Sequence, residues 1–182
     1  MAAAVSKPEA LFVVAHVVHD LRSVAESLAD RDAVRNLATG LGLGFAEARI
    51  RARPDGGNIE GSARRLRYAA LKRLAAEHGC GFIATAHQAD DQLETVIMKL
   101  LRGAGPRGLA GVASLRTLGK DGPTVIRPAL TTNRRDLERV CRAAGWEWCE
   151  DLTNSDTTRL RAAIRVRVLP HLRSIRPRAA ER

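Results

Sequence analysis

The first half of the chain alternates short apolar segments with longer segments whose apolar residues recur at helical spacing. Residues 11–18 (LFVVAHVV) and 82–86 (FIATA) are typical of strands buried on both faces, and residues 45–51 (FAEARIR) are a weaker strand candidate between them. Each is followed by an amphipathic segment that ends at glycine. This alternation predicts an α/β fold, a doubly wound parallel sheet of Rossmann type with helices on both faces.

The second half begins near residue 103 with a glycine-rich basic loop, which we expect to be mobile. Beyond the loop, the pattern predicts a short strand or connector, a capped helix, an extended segment and a last helix that closes at Pro170. These are residues 125–130, 131–145, 146–151 and 154–172.

The length of 182 residues and the apolar content of 45% suit a single domain over residues 1–182. Within it we expect a sheet core at 11–102, the glycine-rich loop and a helical part at 103–172, and a frayed tail at 173–182.

The charge of the chain favours a polyanionic partner. Thirty Lys and Arg against twenty Asp and Glu leave a net charge of +10, and 26 of the thirty cations are Arg, whose planar fork matches phosphate. Aromatic residues make up only 3%, which argues against a surface that holds single strands by base stacking. Recognition of a nucleic acid would therefore depend on phosphates and shape.

The cysteines predict neither a structural metal site nor a disulfide framework. Cys80, Cys141 and Cys149 are widely spaced, without a CxxC pair, and small buried side chains in a reducing cytoplasm are the simplest interpretation. No apolar stretch approaches the roughly 18 residues of a membrane span, and the N-terminus lacks a signal-peptide pattern. We expect a cytoplasmic protein without a membrane partner.

A histidine and two adjacent aspartates follow the strand at 82–86, where a helix begins. Ligands of parallel sheets bind beyond the carboxyl ends of the strands, so His87, Asp90 and Asp91 are candidate site residues. At about 100° per residue, Asp91, Glu94 and Arg102 share a wedge beside the apolar stripe of the helix. The stripe, which we expect to be buried, consists of Leu93, Val96, Ile97, Leu100 and Leu101.

Two interpretations of these acids remain open. Side-by-side carboxylates repel each other, and Mg²⁺ bridging nucleotide phosphates would relieve that repulsion. Alternatively, Asp90 and Asp91 only start a helix, where the helix dipole stabilises each by about 0.3–1 kcal/mol.

Residues 85–112 (TAHQADDQLETVIMKLLRGAGPRGLAGV) resemble the HxxDDQxET and RGxGxxGL block of the tRNA(Ile)-lysidine synthetase family, which belongs to the PP-loop ATP pyrophosphatases. Five other segments resemble blocks of that family, in family order, between about residues 11 and 172. They are AHVVHDLR, GNIEGSARRLRYAAL, IRPAL, WCEDLTNSD and RLRAAIRVRVLPHL.

The resemblance implies a fold of the adenine nucleotide alpha hydrolase type and an ATP-dependent ligase that forms a carbon–nitrogen bond. In the implied reaction, ATP adenylates the wobble cytidine of isoleucine tRNA, and the ε-amine of free lysine then displaces AMP. ATP and Mg²⁺ would be the cofactors, and isoleucine tRNA and lysine the partners.

The resemblance also implies residue roles. Asp91 and Arg64 would be catalytic, with Arg64 stabilising charge on the transferred phosphorus. The residues that would hold ATP and Mg²⁺ are His87, Asp90, Asp91, Glu94 and Arg102, and those that would contact tRNA are Arg161 and Arg165.

Each arginine also has a simpler interpretation. Arg64 could form an i,i+4 pair with Glu60, worth about 0.2–0.5 kcal/mol, and Arg102 could be a solvated cation at a helix end. Arg161 and Arg165 could lie on a solvated face.

The sequence departs from the family pattern at its start, because no SGGxDS loop occurs and only ten residues precede the strand at 11–18. A strand–loop–helix unit needs nearer to about 25 residues. We therefore expect a truncated sequence or a start codon placed too late, with the first strand and the PP-loop missing. Neighbouring strands would then expose their edges or close on each other, and a homodimer is one way to cover them.

Three other functions are alternatives to ligation. A catalytically impaired paralogue or fragment would bind tRNA or nucleotide without turnover. A tRNA thiolase of the same superfamily would need cysteine pairs, which the sequence lacks. A dinucleotide-binding dehydrogenase would need GxGxxG after a strand, and none follows one here.

Overall fold

The computed structural model describes residues 12–20, 23–51, 59–148, 156–177 and 179–180. The chain divides into two compact units. Unit 1 comprises Met1–Ile83 and Thr117–Thr124, and unit 2 comprises Ala84–Arg116 and Val125–Arg182. The single domain expected over residues 1–182 stays a prediction.

Unit 1 contains a parallel strand–helix–strand unit followed by a second helix. Its elements are β1 (Val13–His19), α1 (Val24–Gly40), β2 (Gly44–Ile50) and α2 (Ile59–Glu77). β1 pairs with β2 in parallel, with Val13 opposite Gly44 and His19 opposite Ile50. α1 begins at a capping box, because the Ser23 side chain accepts from the Glu26 N–H and the Glu26 side chain accepts in return from the Ser23 N–H.

The core of unit 1 lies between α2 and this pair of strands. Apolar side chains of β1 and β2 pack against one face of α2, as expected for a crossover helix that covers a parallel sheet. The members of this core are Ala46, Ala48, Ala70 and Leu74, with Val13, Val17 and Ile50 packed against them.

Three short strands form a second sheet. They are β3 (Phe82–Ala84), β4 (Leu115–Thr117) and β5 (Thr124–Ile126), in the order β3-β5-β4. The sequence did not predict β4, since its three residues are all exposed and lack apolar alternation. The described strands thus form two sheets, whereas the sequence suggested one.

Unit 2 is mainly helical. It contains α3 (Ala89–Leu101), a 3₁₀ turn (Gly108–Ala110), α4 (Arg134–Ala143), α5 (Leu160–Ala163), a π-helical segment (Ile164–Val168) and α6 (Leu169–Ile175). Val125, Ile164 and Leu169 are almost completely buried.

The predicted end of the last helix at Pro170 is wrong. Pro170 is the second residue of α6, which continues to Ile175, so the start of the expected tail is helical. A proline in the first turn of a helix needs no backbone N–H, because that N–H would have no partner within the helix. The preceding π-helical segment ends at Val168, so α6 begins anew at Leu169 and Pro170 lies in its first turn.

The apolar stripe of α3 is only partly buried, because Leu93, Val96 and Ile97 are half-buried and the end of the stripe is exposed. Leu100 and Leu101 are 60% and 63% exposed, while Glu94 is 0% exposed and Asp90 is also buried. Burial of a carboxylate requires charged or hydrogen-bonding partners, so the surroundings of Glu94 decide what this helix does. Within the described part of the chain, no helix is long and apolar enough to cross a membrane.

Candidate functional site

The candidate site begins where β3 ends and α3 starts. The His87 Nδ1 atom lies 2.9 Å from the hydroxyl of Thr85. Asp91 closes the first turn of α3, since its Oδ2 accepts from the backbone N–H of Gln88 at 2.9 Å. One carboxylate oxygen of Asp91 thus helps to start the helix, as the simpler interpretation of these acids predicts.

The other oxygen of Asp91 belongs to a cluster of charged side chains around the buried Glu94. Arg161 donates from Nη2 to Asp91 Oδ1 at 2.5 Å and from Nε to Glu94 Oε2 at 2.7 Å. Arg165 donates from Nε to Glu94 Oε1 at 2.6 Å and from Nη2 to Glu94 Oε2 at 3.1 Å. We call Asp91, Glu94, Arg161 and Arg165 the α3 ion cluster.

The geometry of the α3 ion cluster explains how Glu94 can be buried. Two guanidinium groups contact its carboxylate, one of them through two nitrogen atoms, and such charge-assisted bonds are short and strong. The hydrogen bond to Glu94 raises the pKa of Arg165 above its ordinary value, although burial opposes this shift. Arg161 and Arg165 are also only 28% and 29% exposed, which further excludes water from the pairs.

A third pair lies next to the cluster. Arg173 Nη2 is 2.5 Å from Asp90 Oδ1. That oxygen lacks a hydrogen bond of good geometry, so we describe the contact as an ion pair only. Three carboxylates at the start of α3 thus face three guanidinium groups from the last helical segment.

These pairs bear directly on the expected magnesium site. The repulsion between Asp90 and Asp91, which the sequence analysis assigned to Mg²⁺, is already offset by Arg161 and Arg173. Among the described residues, no group of three or more His, Cys, Asp or Glu is placed to hold a metal ion. The carboxylates in this arrangement do not fit Mg²⁺, because their oxygens face cations.

Another face of α3 anchors the glycine-rich loop that the sequence analysis expected to be mobile. The Gln92 amide accepts from Val112 N at 2.5 Å and donates to Val112 O at 2.8 Å, and Lys99 Nζ donates to Gly111 O at 3.0 Å. Gly111 has φ +73°, and a Cβ there would collide with Gln92 Oε1. Gln92 is the Gln of the HxxDDQxET block, but it was not singled out as a site residue, since nothing in the local sequence indicates its contact with Val112, 20 residues away.

Arg102 and Arg64 make none of the contacts of the α3 ion cluster. Arg102 is the exposed C-cap residue of α3, which is the position expected for a solvated helix-end cation. Arg64 belongs to unit 1, where its guanidinium carbon lies 5.2 Å from the centre of the Tyr68 ring. The side chain of Glu60, the alternative partner of Arg64, lies outside the described residues.

One pocket of unit 1, about 310 Å³ in volume, lies between the end of α2 and the turn that precedes β5. Lys72, Cys80 and Asp121 are among its lining residues, which include no predicted site residue. The predicted roles of His87, Asp90, Asp91, Glu94, Arg102, Arg64, Arg161 and Arg165 therefore remain predictions.

The chain is similar to curated proteins over nearly its whole length. A tRNA(Ile)-lysidine synthase of Dehalococcoides mccartyi is 41% identical over 172 residues, which are 90% of this chain and 36% of that protein. A tRNA(Ile)-lysidine synthase of Bordetella parapertussis is 39% identical over 176 residues, which are 94% of this chain and 50% of that protein. The chain thus spans between about a third and a half of the length of these relatives.

A solved structure has the same fold. U34-tRNA thiolase NcsA from Methanococcus maripaludis, with its 4Fe-4S cluster, matches with a TM-score of 0.69 and 16% identity over 91% of this chain and 56% of that chain. The α/β fold with parallel strands, predicted from the sequence, is confirmed. At this identity the match shows the fold alone.

The sequence segments and the comparisons with known proteins indicate the same family. The resemblance to the tRNA(Ile)-lysidine synthetase family, predicted from six segments, is confirmed by the two synthases. A family model for the PP-loop domain matches residues 1–172. The chain therefore belongs to the PP-loop domain family.

Proposed function

We propose that this chain is the nucleotide- and tRNA-handling part of an ATP-dependent ligase, which joins lysine to the wobble cytidine of isoleucine tRNA. The observation that carries the proposal is the similarity to tRNA(Ile)-lysidine synthases over 90% or more of this chain. ATP would adenylate the cytidine with loss of pyrophosphate. The lysine ε-amine would then form the new carbon–nitrogen bond as AMP leaves.

The start of α3 is proposed as the nucleotide side of this site. His87, Asp90, Asp91 and Glu94 follow the carboxyl end of β3, where parallel sheets bind ligands, and Arg102 ends the same helix. Asp91 is the proposed catalytic residue of the group. Hydrogen bonds from Arg161 and Arg165 fix the side chains of Asp91 and Glu94 in place, and this preorganisation costs no rearrangement during the reaction.

The arginines have two proposed contributions. Arg64, held against the ring of Tyr68, is proposed to stabilise charge that develops on the transferred phosphorus. Arg161 and Arg165 are proposed to contact tRNA phosphate, since more than a quarter of each side chain is exposed despite the pairs with Glu94. Mg²⁺ remains a prediction of the family resemblance, and none of these steps depends on it.

Lysine-dependent formation of AMP tests the proposal. Purified chain, ATP, lysine and an unmodified isoleucine tRNA transcript with cytidine at the wobble position should release AMP, and omission of lysine or tRNA should abolish the release. In a chain that also carries the family's SGGxDS loop, Asp91→Asn should remove AMP formation and leave tRNA affinity nearly unchanged. AMP release that does not depend on tRNA would contradict the proposal.

A second candidate function is tRNA binding without turnover, by a catalytically impaired paralogue or a fragment. The observation that favours it is that arginines already face all three carboxylates at the start of α3. Salt-sensitive tRNA binding without AMP formation would support this second function.

The assembly and location of the protein are also proposals. A homodimer stays a prediction, which the mass of the purified chain by light scattering would decide. A cytoplasmic location fits an enzyme that acts on tRNA, and cell fractionation would test it.

A further inference from the structure

α2 carries a cationic face that has no assigned role. Residues 61–76 contain five cations and no acid. Arg73 pairs with Glu77 at 3.4 Å, and Arg64 packs against Tyr68. The other three are Arg65, Arg67 and Lys72, which we call the α2 basic face.

All three side chains of the α2 basic face are exposed. Arg65 donates to the Ser62 hydroxyl at 2.9 Å. Within the part of the chain that the structure describes, no carboxylate forms an ion pair with any of the three. The face therefore carries three charges that the fold itself does not neutralise.

Helix geometry places Arg65 and Lys72 on the side of α2 that faces water, whereas Arg67 lies about 160° from Arg65 around the helix, near the buried side, although its side chain is exposed. Ala63, Ala70 and Leu74 are buried against unit 1. At about 100° per residue, Arg65 and Lys72 lie opposite this buried side and within about 20° of each other. Seven residues separate them, so they are about 10 Å apart along the helix axis.

This arrangement fits a polymer of phosphates better than a single phosphate or a lipid surface. The cations are spread over two turns of a rigid helix and do not converge on a pocket, as a small anion would require. The exposed residues between Arg65 and Lys72 on this side include Ala69 and no large aromatic residue, whereas an interfacial membrane helix needs bulky apolar residues for insertion.

We propose that the α2 basic face is a docking surface for the sugar-phosphate backbone of RNA. The inference rests on the proposed function in one respect, that the RNA is the tRNA substrate. Arg65, Arg67 and Lys72 each contact a phosphate and release condensed counterions, so their contribution falls with salt. Arg64 lies on the same helix, and docking brings RNA beside it.

Two matched triple variants of the 182-residue chain test the proposal. One is Arg65→Ala, Arg67→Ala and Lys72→Ala. The control is Arg134→Ala, Arg139→Ala and Arg142→Ala on α4, where the exposed arginines pair with Glu138 or Asp136. Both variants lose three positive charges from exposed helix positions, where alanine favours the helix.

The measurement is the affinity for an unmodified isoleucine tRNA transcript at several KCl concentrations, with circular dichroism to verify folding. The α2 variant should bind at least about tenfold more weakly near 100 mM salt, and its salt slope should be shallower by about one for each removed contact. The α4 variant should keep the parental slope. A third variant, Arg65→Lys, Arg67→Lys and Lys72→Arg, should bind like the parent, because it keeps the charges.

Several outcomes would overturn the proposal. Equal weakening by the α2 and α4 variants would show an effect of net charge alone. A parent chain that binds vesicles of phosphatidylserine but not tRNA would identify a lipid surface instead. Failure of the proposed function is distinguishable, because loss of tRNA binding specific to the α2 variant supports the docking surface even if no AMP forms.

Discussion

α2 and the last helical segment, residues 160–175, are both rich in arginine and poor in acid. Residues 61–76 of α2 carry five cations, and residues 160–175 carry four, without an acid in either range. In the last segment, Arg161, Arg165 and Arg173 meet the carboxylates of α3. On α2, only Arg73 has an ion pair among the described residues. Two similar patterns thus lead to an internal charge cluster in one helix and a cationic surface in the other.

The difference shows that tertiary neighbours, and not the local pattern, decide what an arginine does. A guanidinium that meets a buried carboxylate becomes part of the fold, because removal of either partner leaves an uncompensated charge. An exposed arginine contributes little to stability and keeps its charge for a ligand. Substitutions of arginine in the last helical segment should therefore lower stability, and substitutions of exposed cations on α2 should lower RNA affinity.

Glu94→Gln should have the largest effect on stability. The substitution removes the buried carboxylate that both Arg161 and Arg165 contact and leaves Asp91 as their remaining counter-charge in the cluster, and breaking a buried pair costs about 3–5 kcal/mol. We expect about 3 kcal/mol, since both arginines are partly exposed. Urea denaturation measures this loss, and Glu77→Gln, which breaks an exposed pair on α2, should cost less than about 1 kcal/mol. Equal losses of unfolding free energy in the two variants would contradict the difference proposed between the two helices.

Gly111→Ala should have the next largest effect, because α3 also holds the glycine-rich loop. Alanine at φ +73° is strained, and its Cβ would collide with Gln92, so we expect a loss of about 1–3 kcal/mol in the free energy of unfolding. Gly105→Ala is the matched control in the same loop, since a Cβ there meets nothing within 4 Å. If both substitutions were neutral, the loop would not be anchored as described.

The order of the main elements could be predicted from the sequence, because hydrophobic periodicity and glycine stops are local signals. The segments at 11–18, 45–51 and 82–86 became β1, β2 and β3. The three exposed residues of β4 carry no such signal.

The α3 ion cluster could not be predicted in the same way. Its arginines lie 67 to 71 positions from the acids that they contact, and no short window contains both. Helical spacing predicts Glu94 beside the stripe of α3, but it carries no signal that Glu94 is buried more completely than Leu100 or Leu101. The π-helical segment between Arg161 and Arg173 was equally invisible, since no residue type specifies it.

Arg165→Lys and Arg65→Lys compare the two helices without a change of charge. The quantity compared is the loss of unfolding free energy in each variant. Lysine lacks the planar fork with which Arg165 makes two contacts to Glu94, so we expect a loss of about 1–2 kcal/mol. At Arg65 the same substitution should change stability by no more than about 0.5 kcal/mol. Chemical denaturation of both variants in parallel would detect this difference, and a larger loss at Arg65 would reverse the assignment of the two helices.

Arg67→Ala should have the smallest effect on stability and a clear effect on RNA. Arg67 is exposed on α2, so its removal should change the free energy of unfolding by no more than about 0.5 kcal/mol. The salt slope of tRNA binding should nevertheless fall by about one, because one phosphate contact is lost. Arg167→Ala, at an exposed position of the last segment whose arginine donates to Thr157, is the matched control and should leave the slope unchanged. A slope that responds to Arg167 and not to Arg67 would place the RNA on the last helical segment, as the sequence reasoning about Arg161 and Arg165 first suggested.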